Sequence, residues 1–187
     1  SLIMFSFFDQ NGFTLRAFEK IFFPGQVSLF GTTALVSIFY SLGLALFASI
    51  IATILGLIAS LKQTKVFYVN IFVGSSIAVS VITLAFGYFL GFGSGELWII
   101  AIGHSILAFP FAYRVLNNAI AKIDQESLDS AKTLGANDFQ IFKKIQFPRI
   151  KSSLFVSLAF SFAISLGELG LVLVLYDGIY ATMPVYI

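Results

Sequence analysis

The stretch from Thr33 to Leu61, TALVSIFYSLGLALFASIIATILGLIASL, contains no charged residue and no proline. A bilayer core about 30 Å thick needs roughly 20 consecutive apolar residues to be crossed as a helix, and this run exceeds that. Three more runs follow it: Val66 to Leu90, Leu97 to Leu116 and Ser152 to Leu175. The pattern predicts an all-α, polytopic transmembrane helical bundle with at least four spanning helices, and one membrane domain over residues 1–187. Composition agrees: 58% of residues are hydrophobic, 11% are charged and the mean hydropathy is +0.96. A soluble domain could not cover that much apolar surface with so few polar groups. Without cysteine there is neither a disulfide framework nor a thiolate metal site, and a net charge of +2 gives no footprint for nucleic acid.

The loops between the runs differ sharply in charge. Lys62 and Lys65 follow the first run, while Arg114, Lys122, Lys132, Lys143, Lys144, Arg149 and Lys151 border or occupy the long segment between the third and fourth. Together they are nine of the eleven basic residues. The connection from Gly91 to Glu96 and the tail from Tyr176 to Ile187 contain none. Basic residues mark the cytoplasmic face, so the long loop, residues 117–151, is expected in the cytoplasm and the glycine connection outside. Residues 9–20 then also lie outside. Ser1 to Phe8 reads as the end of an earlier helix, and the chain as a piece of a longer polytopic protein.

Small residues recur along the first run at Ser41, Ala45, Ala48, Ala52, Gly56 and Ala59, spaced by three or four, which predicts a face for close helix packing. The Gly91-x-Gly-x-Gly95 spacing is not a phosphate loop, since no Lys-Ser/Thr follows it, and no G-x-x-x-x-G-K-[ST] occurs anywhere. No cofactor, metal ligand set or catalytic group is expected on this chain.

The long loop is more specific. From Gln125 to Leu134 all residues suit a helix, with Leu128, Ala131 and Leu134 on one three-residue stripe. Gly135 stands where a helix ends with a left-handed residue. Asn137 and Gln140 form a capping-box pair for a second helix, along which Phe139, Phe142 and Ile145 repeat. Pro148 is expected to turn the chain back toward the membrane. The result is a two-helix knob whose apolar side chains need a partner surface.

At these residues the chain resembles the EAA loop of ABC importer permeases, whose pattern is Glu-Ala-Ala, three residues, Gly, nine residues, Ile-x-Leu-Pro. Here Asp129-Ser130-Ala131 takes the first triplet, Gly135 falls in register, and Ile145-Gln146-Phe147-Pro148 closes the pattern. Asp for Glu, Ser for Ala and Phe for Leu are the departures. His104 to Leu116 (HSILAFPFAYRVL), Ser165-Leu-Gly-Glu-Leu-Gly170 and Thr182-Met-Pro184 are similar to flanking stretches of permeases for oxyanions, ferric iron and thiamine. The resemblance implies a bacterial inner-membrane permease that pairs with a second permease half or subunit. It also implies a pair of ABC ATPases, carrying ATP and Mg, and an extracytoplasmic substrate-binding protein. The coupling residues would be Asp129, Ser130, Ala131, Leu134, Gly135, Phe139, Phe142, Ile145 and Pro148. Thiamine or iron is the preferred cargo, with an inorganic oxyanion next.

Glu168 is the acidic residue deepest in a spanning run, about 25 Å from Ser152 at 1.5 Å per residue. A carboxylate there faces a cavity or a partner, and Gly167 and Gly170 would permit a local break. Two readings stand: Gly167, Glu168 and Gly170 border the translocation pathway or its gate, or Glu168 is a structural hydrogen-bonded carboxylate. His104, the lone histidine, is expected to be a buried hydrogen-bonding residue. Pro110 is expected to kink the third helix, and Arg114 to snorkel to the inner surface. An ion-gradient-driven transporter or channel is the competing class. It should show paired intramembrane charges in repeated halves, and only Glu168 qualifies.

Overall fold

The computed structural model describes residues 8–9, 12–13, 33–61, 69–71, 73–74, 79–93, 96–176 and 181–186. A two-residue antiparallel pair, β1 (Phe8–Asp9) with β2 (Gly12–Phe13), precedes the helices. Of the expected early helix end, only Phe8 is among the described residues, and it pairs with Phe13. The helices are α1 (Ala34–Leu61), α2 (Val81–Phe92), α3 (Leu97–Ile120), α4 (Gln125–Thr133), α5 (Asp138–Ile141), α6 (Phe147–Leu166), α7 (Gly170–Leu175) and α8 (Met183–Tyr186).

Among the described residues, three helical stretches are long and apolar enough to cross a membrane: Ala34–Leu61, Leu97–Ile120 and Asp138–Leu166. The second run, expected as one span, is interrupted. Ser80 has extended backbone (φ −61°, ψ 135°) and sits at the start of α2, whose 12 residues reach about 18 Å. Serine favours the position before a helix, which places the break at Ser80 although its hydroxyl makes no capping bond. The fourth run is also divided, because α6 stops at Leu166 and α7 starts at Gly170.

The turn expected at Pro148 is absent, which corrects that reading. The chain runs as one helical column from Asp138 through Leu166, with a π-helical segment at Phe142–Gln146 joining α5 to α6. Within an α-helix, the Pro148 ring would clash with the carbonyl four residues back and its missing N–H would leave that carbonyl unpaired. The widened turn removes the conflict just before the proline, with Phe147 N–H donating to the Phe142 carbonyl, five residues back. Pro110 likewise lies inside α3 without ending it.

Packing inverts the pattern of a soluble helix. On α1 the buried residues are small: Ser37, Ser41, Ala45, Ala48, Ala52, Gly56 and Ser60 are among them. Phe39, Leu46, Phe47, Ile54 and Ile58 are exposed on its other side. Lipid tails solvate large apolar groups as well as a protein interior does, so helices associate through close approach and buried hydrogen bonds. The closest approach is at Gly56, where an added Cβ would lie 3.0 Å from the Tyr113 nitrogen and 3.1 Å from the Ala112 carbonyl carbon. Ala52, Ala108 and Ala112 continue that contact. The column inserts its own small face against α1 and α3, burying Ser157, Ser161 and Ser165 while Phe155 and Phe160 point outward. Thr53 and Ser157 hydroxyls pair at 3.3 Å, and the His104 ring nitrogen Nδ1 meets Ser165 Oγ at 2.6 Å. The packing face expected on α1 and the hydrogen-bonding role expected for His104 are both present.

Replacing Gly56 by Val should lower the melting temperature of the detergent-solubilised protein, by an overpacking penalty of about 1–3 kcal/mol. Gly43→Val, on the same helix with nothing within 4 Å of an added Cβ, should change it far less. Equal melting shifts for the two would show that the α1–α3 contact does not limit stability.

Candidate coupling loop and intramembrane carboxylate

The loop is built by local hydrogen bonds at each helix end. Asp124 begins α4: its carboxylate accepts from Glu126 N–H (3.3 Å), Ser127 N–H (3.2 Å) and the Ser127 hydroxyl (2.9 Å). The Ser127 hydroxyl bond, aided by those backbone amides and the charge of Arg149, holds this carboxyl below the usual aspartate range. A lowered folded pKa means that the cap's contribution is present above the unfolded pKa and is lost as pH falls through the folded one. The Asp-x-x-Ser spacing carried this signal in the sequence, but the cap was not assigned there.

At the other end of α4, Gly135 has φ +82°. Its N–H donates to the Lys132 carbonyl (2.9 Å) and Ala136 N–H to the Ala131 carbonyl (3.0 Å), the two bonds of a Schellman ending. Asn137 then opens the next helix with both halves of a capping box, Gln140 N–H to Asn137 Oδ1 (2.9 Å) and Asn137 N–H to Gln140 Oε1 (3.0 Å). Two helix ends and a left-handed glycine fix the corner.

The corner folds onto an apolar base. Ile120, Ile123, Leu128, Ile141 and Ile150 form a buried cluster, with Ala131, Phe142 and Ile145 packed against it. The expected stripe therefore divides. Leu128 and Ala131 turn inward, but Leu134 is 87% exposed, because as the residue closing α4 (φ −78°, ψ 6°) it has left the helical period. Phe139 is 69% exposed. Leu134 and Gly135 border an open hollow of about 410 Å³ whose other walls include Ala136, Gln140, Lys144 and Ile145. Asp129 is on the exposed side and accepts a bond from Gln125 Nε2 at 3.1 Å, and Ser130 is exposed beside it. Pro148 is exposed at the start of α6.

Gly167, Glu168 and Gly170 lie at the far end of α6, some 30 Å from Phe147 along its 20 residues. The helix breaks there, and Glu168 Oε1 accepts from Gly170 N–H (2.8 Å) and Leu171 N–H (3.2 Å). The carboxylate thus satisfies the first amides of α7 while its residue stays partly exposed. Sequence reading allowed a break here and a hydrogen-bonded carboxylate as one of two roles, but it did not identify the α7 amides as the partners. It also missed the Ser157-Ser161-Ser165 line, although its four-residue spacing was visible. Among the described residues no group of three metal-ligating side chains comes together.

A bundle of apolar helices joined through a braced, charged corner defines a polytopic membrane component. The chain belongs to the family described as binding-protein-dependent transport system inner membrane component, whose model matches residues 52–185. It is a multi-pass protein of the inner membrane. It is 31% identical over 116 residues to the sulfate transport system permease protein CysT of Salmonella typhimurium, covering 62% of this chain and 39% of that one. A 2-aminoethylphosphonate transport system permease protein of the same organism, PhnV, is 29% identical over 94 residues, covering 50% and 36%. The sulfate permease CysW of Synechocystis is 30% identical over 90 residues, covering 46% and 33%. The chain spans between a third and two-fifths of the length of these relatives.

Leucine at position 135 would have to adopt a left-handed backbone, a cost of about 1–2 kcal/mol. With nothing within 4 Å of an added Cβ, that cost is conformational. Gly135→Leu should speed amide exchange and proteolysis between Thr133 and Asp138, whereas Gly135→Asn should stay near the parent. Identical protection in all three proteins would show that the corner does not depend on this glycine.

Proposed function

We propose that this chain supplies part of the transmembrane pathway of an ATP-driven importer and takes its drive through the loop at residues 117–151. The observation that carries the reading is the pair Leu134 and Phe139. Both are large apolar side chains left exposed at a corner that caps and buried isoleucines hold in one shape. An exposed apolar pair on a rigid, highly charged loop suits a partner surface better than water. Nine of eleven basic residues support a cytoplasmic position for it. The partner is a pair of ABC ATPases that bind ATP and Mg, so this chain needs no cofactor. A second permease half and an extracytoplasmic binding protein complete the assembly. Membership in a binding-protein-dependent family supports this over an ion-gradient-driven transporter.

For cargo, the relatives named for sulfate and for 2-aminoethylphosphonate support a small oxyanion. Neither name is that of a thiamine or iron system, so the order of preference read from the sequence is reversed.

Leu134→Asp with Phe139→Asp should leave the protein inserted, because neither side chain is part of the buried base. It should abolish uptake and co-purification of the ATPase. Undiminished uptake by an inserted double variant would remove the coupling role.

Glu168 has two supported readings. Partial exposure at a helix break suits a pathway or gate residue together with Gly167 and Gly170, and the two amide bonds suit a capping one. If it borders the pathway, Glu168→Gln keeps assembly but sharply reduces uptake per assembled complex. If it only caps α7, Glu168→Gln transports like the parent while Glu168→Ala lowers the yield of complex. Reconstituted uptake, normalised to complex, separates them.

A further inference from the structure

Where α3 leaves the apolar layer and α6 enters it, the two frame an open hollow of about 220 Å³, room for about seven waters. Val115, Asn118, Ala119, Lys122 and Ile123 line one wall, and Arg149 and Ser153, four apart, line the other. Its polar side chains are graded, with the aliphatic Ile123 next to Lys122 and Ala119 next to Asn118. Lys122 and Arg149 stand at the end nearest the charged loop, Asn118 and Ser153 one turn deeper, and Val115 deepest. Ile120 and Ile150 are buried in the cluster behind it.

Among the described residues the two cations have no acidic partner of their own. Asp124 feels the charge of Arg149, but its carboxylate is committed to the first turn of α4 through three hydrogen bonds. Among the described residues no acidic side chain closes an ion pair with Lys122 or Arg149. Lys151, exposed two residues beyond Arg149, adds to the positive field.

We infer that this hollow binds the phosphate-bearing headgroup of an anionic phospholipid in the cytoplasmic leaflet. Lys122 and Arg149 take the phosphate, Asn118 and Ser153 face the glycerol region, and the Val115 wall runs beside an acyl chain. The assignment rests on the orientation read from the basic residues. The order of cation, amide and hydroxyl, then aliphatic group repeats the cross-section of a phospholipid, and basic pockets between membrane helices on the cytoplasmic side suit anionic headgroups. A free phosphate ion would use only the cationic end.

The test uses the full transporter complex in detergent, with retained lipid read by native mass spectrometry and melting temperature read after adding lipid. Phosphatidylglycerol should be retained and should raise the melting temperature, whereas phosphatidylcholine should do neither. Retention should fall about fivefold for each basic side chain removed in Lys122→Ala and Arg149→Ala. Lys122→Arg with Arg149→Lys should keep it, as should Lys151→Ala outside the hollow. Equal phosphatidylglycerol retention by Lys122→Ala/Arg149→Ala and the parent overturns the site. So does inorganic phosphate matching the lipid in stabilising the complex, which would mark a free-anion site. Loss of ATPase from the double variant with lipid retention unchanged would make the hollow a protein contact and also overturn it.

Discussion

A peptide group in hydrocarbon has no water to bond to, so each N–H and C=O must find its partner within the protein. That constraint shapes both the regular and the irregular parts of this chain. It selects helices for the apolar runs, and it governs each place where a helix is interrupted. At Pro148 the backbone widens into a π turn. At Gly167 to Leu169 the column stops, and the Glu168 carboxylate takes up two of the amides that the next helix leaves open. Two hydroxyls buried along the spans bond back to their own helices, Ser60 to the Gly56 carbonyl (2.6 Å) and Ser105 to that of Ala101 (2.7 Å). These serines can line packed faces because their own polar atoms are already occupied.

The same medium sets the packing rule. Since Leu and Phe gain little by leaving lipid for protein, the side chains that decide which faces meet are the smallest ones. Gly56 against the Ala112–Tyr113 backbone brings α1 and α3 together, and the serine line of α6 closes against both. This contact places the exit of α3 beside the entry of α6, and it thereby holds the isoleucine base on which the loop corner rests. Stability in the membrane and order in the loop share one framework.

Much of this was legible in the sequence. Apolar length gave α1 and α3, and the Asn137–Gln140 pair and Gly135 gave the loop corner, because caps and left-handed glycines act through near neighbours. The failures came where local rules compete with context. Ser80 interrupts the second run six residues after its Gly74, with no proline to announce it. Pro148 reads as a stop, yet a π turn absorbs it and the helix continues. Leu134 keeps the three-residue spacing of Leu128 and Ala131 but points away, since the chain has already left the helix there. The Glu168 capping bonds depend on where α7 restarts, which no short pattern specifies.

The unbroken column from Asp138 to Leu166 has a mechanical consequence. Its 29 residues make a lever about 43 Å long, with Phe139 near one end and the Glu168 break just beyond the other. A tilt of about 10° around its centre carries each end some 4 Å, in opposite directions, with no change in any hydrogen bond along it. Under the proposed coupling role, a push delivered at the loop would reach the opposite face of the membrane as displacement, and a hinge in the middle would have dissipated it. The π turn at Phe142–Gln146 lies close to the loop end, which leaves the 20 residues of α6 as an uninterrupted α-helical arm.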